Sequence, residues 1–102
     1  MKSFKGLNGT IYLNTSGVSI VRDTSISTTF HKLSEVEIPY ANISKVNLVH
    51  GAALNGYISI VEHGYGSPSS IFSALKDENT VIFRFTKNLS AEKMKRLIEA
   101  NI

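Results

Sequence analysis

The feature that most constrains this chain is a single change of period along its length. From Thr10 to Phe85 the apolar residues recur at alternate positions in short runs, and after Ser90 they recur at helical spacing. Ile11 and Leu13 share one face while Thr10, Tyr12 and Asn14 share the other, the pattern of a pleated strand. Asn14, Thr15, Ser16 and Gly17 then supply turn chemistry, with a glycine free to take positive φ. A return strand runs through Val18, Ser19, Ile20 and Val21, with Val18 and Ile20 inward and Arg22 at its end. Val36, Glu37 and Ile38 form a third strand that stops at Pro39, which has no N–H to give a ladder.

Four more segments follow. Val46 and Leu48 alternate with Lys45, Asn47 and Val49, and Ile58 and Ile60 alternate with Tyr57, Ser59 and Val61. Residues 71–75 read as a weaker strand, and Val81, Phe83 and Phe85 alternate with Ile82 and Arg84. Val, Ile and Thr total 25 of the 102 residues, and their branched Cβ atoms suit a pleated surface. Seven antiparallel strands are therefore expected. At the C-terminus Ser90 reads as a helix N-cap, Glu92 lies in the first turn, and Ala91, Met94, Leu97 and Ile98 form one apolar stripe. Lys93, Lys95, Arg96 and Glu99 occupy the other face, so the stripe should plug the β-structure, with Leu97 and Ile98 against Phe83 or Phe85.

With 42% hydrophobic and 19% charged residues, the length suits one domain over residues 1–102, strands at about 4–85 and the helix at about 90–101. The absence of cysteine excludes disulfides, thiolate metal sites and cysteine catalysis, and fits a reducing compartment. No secretory signal opens the sequence, and no apolar stretch approaches the roughly 20 residues that span a bilayer. The expected location is the cytoplasm or, peripherally, the inner face of the membrane. A net charge of +3 does not by itself announce nucleic acid, and no specific nucleic-acid partner is expected.

Seven antiparallel strands and one C-terminal helix resemble the pleckstrin-homology-like fold, a bent, partly open barrel capped by a helix. The run Glu37, Ile38, Pro39, Tyr40, Ala41, Asn42, Ile43, Ser44, Lys45, Val46 looks like the rhythm that bacterial members use between their third and fourth strands. Gly17 with Val18, Gly56 with Tyr57 and Ile58, and Asn79 with Thr80 and Val81 are similar to an uncharacterised bacterial family of this fold, often joined to a short C-terminal helical module. The resemblance rests on core and turn residues and implies an interaction module; it carries no catalytic signature.

Chemistry-bearing motifs are sparse. His31, His50 and His63 are spaced by 19 and 13 residues, which matches no metal-ligand motif. Ser67, Ser69 and Ser70 lack a nucleophile elbow, and Gly64, Tyr65 and Gly66 are too few for a phosphate-binding loop. Tyr12, Tyr40, Tyr57 and Tyr65 belong to no aromatic RNA-binding motif. The expectation is a non-catalytic interaction or scaffold module, without cofactor or metal, that contacts protein or itself. The alternatives are a weak binder of anions or membrane headgroups and a small hydrolase or metal-dependent enzyme using His50 and His63. Arg22, His31 and Lys32 are the candidate anion surface. Tyr57, Ile58, Ser59, Ile60 and Val61 contain no proline or basic residue and are the candidate sheet edge for a homo-oligomer or a partner strand.

Overall fold

A computed structural model of the chain describes residues 2–22, 35–52 and 55–102. Its strands are β1 (Lys2–Lys5), β2 (Gly9–Leu13), β3 (Gly17–Arg22), β4 (Glu35–Pro39), β5 (Ile43–Val49), β6 (Gly56–Glu62) and β7 (Thr80–Phe83). Helix α1 (Ile71–Lys76) precedes β7, and helix α2 (Asn88–Glu99) closes the chain. The strands form two antiparallel sheets, a four-stranded one in the order β1-β2-β3-β4 and a three-stranded one in the order β5-β6-β7. The fold is thus mainly β with a C-terminal helix, but among the described residues the seven strands are not in one sheet and their ladders do not close into a barrel. Among the described residues no helix is long and apolar enough to cross a membrane.

The two sheets are joined at particular residues. The 3-10 turn Tyr40–Asn42 carries the chain from β4 into β5, and the Tyr40 hydroxyl anchors it by donating to the Asn14 carbonyl at 2.8 Å. Asn14 in turn uses its Oδ1 to accept from the Ser16 and Gly17 N–H groups at 3.1 and 2.8 Å, an Asx turn that sets the β2–β3 hairpin. At the far side the β1–β2 turn bonds the free edge of β7: Leu7 N–H donates to the Ile82 carbonyl at 2.7 Å, and Asn8 Oδ1 accepts from Ile82 N–H at 2.9 Å.

Between the sheets lies the core. Phe4, Ile11, Val18, Ile20 and Ile38 from the first sheet meet Ile58, Ile60, Val81 and Phe83 from the second, and Ala91, Met94 and Ile98 of α2 complete it. Phe4 and Phe83 meet edge to face, their ring centroids 5.5 Å apart. A smaller cluster of Tyr57, Ile82 and Ala74, with Ile71 against it, packs α1 on the outer face of β6 and β7. β6 and β7 therefore each bury both faces, which explains their nearly continuous apolar runs.

Several sequence expectations need correction. Residues 71–75 are not a strand but lie in α1, because Ile71, Ala74 and Leu75 also satisfy helical spacing and Ser70 caps the turn, its Oγ accepting from Ser73 N–H at 3.2 Å. The seventh strand is instead β1, whose single apolar residue, Phe4, shows no alternation. The last strand ends at Phe83, and Phe85 opens a 3-10 turn, Phe85–Lys87, that runs directly into α2. The helix consequently begins at Asn88, two residues before Ser90, and Ile98 and Phe83 belong to the same buried core, whereas Phe85 is exposed. The segment Tyr57, Ile58, Ser59, Ile60 and Val61 is no edge: β6 is the middle strand, paired with β5 and β7, and all five residues are buried.

Candidate functional site

Of the residues expected to form an anion surface, Arg22 is described and His31 and Lys32 lie outside the described residues. Arg22 spans the gap between the sheets. Its Nη1 donates to the Thr80 carbonyl at 2.6 Å and its Nη2 to the Asp77 carbonyl at 2.9 Å. Desolvation lowers the guanidinium's pKa from its ordinary value, while the carboxylates of Asp77 and Glu78 act in the opposite direction. His50 and His63 are not brought together. His50 follows the end of β5 and His63 the end of β6, and because these strands run antiparallel the two sit at opposite ends of the ladder, roughly 20 Å apart at about 3.4 Å per residue. His50 Nε2 pairs with Glu92 Oε1 at 3.0 Å, and the backbone N–H of His63 donates to the Asn42 carbonyl at 2.9 Å.

A different set of cations converges around β1. The β1–β2 turn reaches β7 through Leu7, and Gly6 permits the approach: a Cβ at Gly6 would run into the Val81 side chain and the Ile82 carbonyl. This places Lys5 and Leu7 opposite Arg84, Thr86 and Lys87 across a groove of about 300 Å³. The Lys87 ammonium donates to the Lys5 carbonyl at 2.9 Å, tying the two sides. A second groove of about 230 Å³ is shared by Lys5, Thr10 and Arg22, and a third, of about 300 Å³ between β1 and α2, by Lys2, Ser90 and Lys93. The position of α2 is fixed at its start, where the Asn88 amide accepts from Gly51 N–H and donates to the Gly51 carbonyl, both at 2.9 Å.

The first two grooves share Lys5 and Gly6, and the third involves the other end of β1 at Lys2 and Ser3. Lys2, Lys5, Arg22, Arg84, Lys87 and Lys93 line them, and among the described residues none in their linings is acidic. Large apolar side chains accompany them: Leu7 is 45% exposed, Phe85 57% and Leu89 80%. Such a surface combines an attractive potential for anions with apolar area that water solvates poorly.

A cleft of about 420 Å³ near the α1–β7 turn has the opposite character, with Glu62, Asp77 and Glu78 in its lining. Two of these carboxylates, those of Asp77 and Glu62, hold neighbouring side chains. The Thr80 hydroxyl donates to Asp77 Oδ2 at 2.6 Å and lies 2.9 Å from Ser59 Oγ, its direct partner across the β6–β7 ladder. The Asn79 amide donates to Glu62 Oε1 at 2.9 Å. Among the described residues no group of three or more His, Asp or Glu is arranged to hold a metal ion.

Sequence reasoning missed Lys2, Lys5, Arg84, Lys87 and Lys93 as a set because β1 was not recognised as a strand. A usable signal was nevertheless present: residues 1–22 and 79–91 contain no Asp or Glu, and these two stretches supply both walls of the first groove. Comparison with known proteins places a family model, described as Domain of unknown function (DUF4429), on residues 11–99. Curated proteins give no significant match, and neither do solved structures.

Proposed function

We propose, for a chain that belongs to the DUF4429 family of domains, a non-catalytic interaction module that binds an anionic partner through the basic face around β1. The observation that carries this reading is the placement of six cationic side chains on three grooves that each take a wall from β1 or the turn after it, with no acidic residue in their linings among the described residues. A patch of one sign raises the local concentration of oppositely charged partners and accelerates their encounter. Most of these cations are exposed, so attachment depends on salt and weakens as the Debye length falls to about 8 Å at physiological ionic strength. A pleckstrin-homology-like architecture is part of the proposal; a four-stranded and a three-stranded antiparallel sheet with a C-terminal helix packed into their shared core support it.

Retention on immobilised heparin tests the reading. The parent protein should need more salt for elution than the double variant Lys5→Glu, Arg84→Glu, whose changes reverse charge on the two walls of the first groove. Equal elution of parent and variant would refute the basic face as the working surface.

A further inference from the structure

We infer that the partner of the basic face is a second copy of this chain, an inference that rests on the basic-face reading and assigns its occupant. It starts from the order of charge along one edge of β7. Asp77 and Glu78 precede the strand and Arg84 follows it, while Arg22 and the β1–β2 turn lie against the edge between them, bonded to Thr80 and Ile82. The Asp77 and Glu78 carboxylates lie near enough to the Arg22 guanidinium to act on it electrostatically, and Arg84 lines the first groove with Lys5 and Leu7. Both ends of the row therefore stand on the side of the β1–β2 turn, one end negative and the other positive.

β7 alone sets the two ends roughly 13 Å apart at about 3.4 Å per residue, more than the Debye length of about 8 Å at physiological ionic strength, so they do not neutralise each other within one copy. A twofold axis across the middle of β7 reverses the row. Glu78 of each protomer then meets Arg84 of its partner, and because both ends are matched at once the assembly closes at two copies. Exposed ion pairs are individually weak, and Leu7 and Phe85, 45% and 57% exposed beside Arg84, supply apolar area for the contact to bury. A polyanion engages the cations alone; a second copy also engages Asp77 and Glu78.

Sedimentation equilibrium provides the test. At low ionic strength, where the Debye length approaches about 30 Å, the parent should sediment at twice the mass of the chain, and added salt should return it to the monomer. Arg84→Glu and Glu78→Lys, both at exposed positions, should each weaken dimerisation about tenfold or more, since each replaces two attractive pairs by two repulsive ones. An equimolar mixture of the two variants should recover the dimer, because their reversed ends match each other, and a loss of folding cannot mimic that recovery. A parent that stays monomeric at low salt and at its highest soluble concentration, a dimer indifferent to both substitutions, or a mixture no more associated than its components overturns the assignment. Association beyond the dimer overturns the twofold arrangement. If heparin retention keeps its charge dependence while the parent stays monomeric, the basic face stands and an acidic segment of another protein takes the place of the second copy. If retention is indifferent to charge as well, the basic-face reading falls with it.

Discussion

Arg22 at the end of β3 and Thr80 at the start of β7 are joined by a 2.6 Å hydrogen bond from Nη1 to the carbonyl, a direct link between the two sheets. The second guanidinium bond, to Asp77, extends the link to the turn before β7. Charge-assisted bonds of this kind are each worth about 1.5–3 kcal/mol, less where water reaches them. Arg22→Leu keeps the aliphatic packing and removes both bonds. It should cost about 2 kcal/mol and lower the melting temperature on the order of 10 °C in a domain of this size, as read by circular dichroism.

The C-terminal helix contributes through Ile98 more than through its neighbour. Ile98 is fully buried in the main core, whereas Leu97 is only partly buried and lines the groove beside β1. Ile98→Ala should therefore cost about 2–5 kcal/mol, as buried aliphatic truncations do, and Leu97→Ala about 1 kcal/mol. Urea denaturation of the two variants checks the order; equal losses would show that the helix is seated differently.

The core was legible in the sequence wherever alternation ran for several residues. Ile11, Val18, Ile20, Ile58, Ile60 and Val81 all read as strand residues and all are buried. Two elements were hidden for physical reasons. β1 contributes one apolar residue and owes its place to pairing with β2, a tertiary cause that no local pattern records. α1 is six residues long, too short for its period to be separated from that of a strand. The position of β6 was misread because freedom from Lys and Pro marks a central strand as well as an unguarded edge, and pairing on both sides is a property of the whole sheet. The basic face escaped for the same reason as β1, since it exists only once the β1–β2 turn is laid against β7.

That contact makes Gly6 sensitive. Gly6→Ala forces a methyl group into the Val81 side chain and the Ile82 carbonyl, so the turn must lift and the Leu7 to Ile82 bond must lengthen or break. Amide exchange measured by NMR should speed up by about tenfold or more at Leu7 and Ile82, equivalent to about 1.4 kcal/mol of local opening. Exchange at Ile60, in the middle of the second sheet, should change much less. The same variant should also elute from heparin at lower salt, because the first groove loses one wall.

The most direct measurement of the central claim is an amide chemical-shift map recorded while a short heparin fragment is titrated into the protein. Residues 2–7 and 84–87, together with Lys93, should shift in a saturable and salt-dependent way, while residues 65–73, the part of the acidic cleft away from Arg22, should stay unperturbed. Shifts concentrated in residues 65–73, or none around β1 at the highest fragment concentration, would contradict the account.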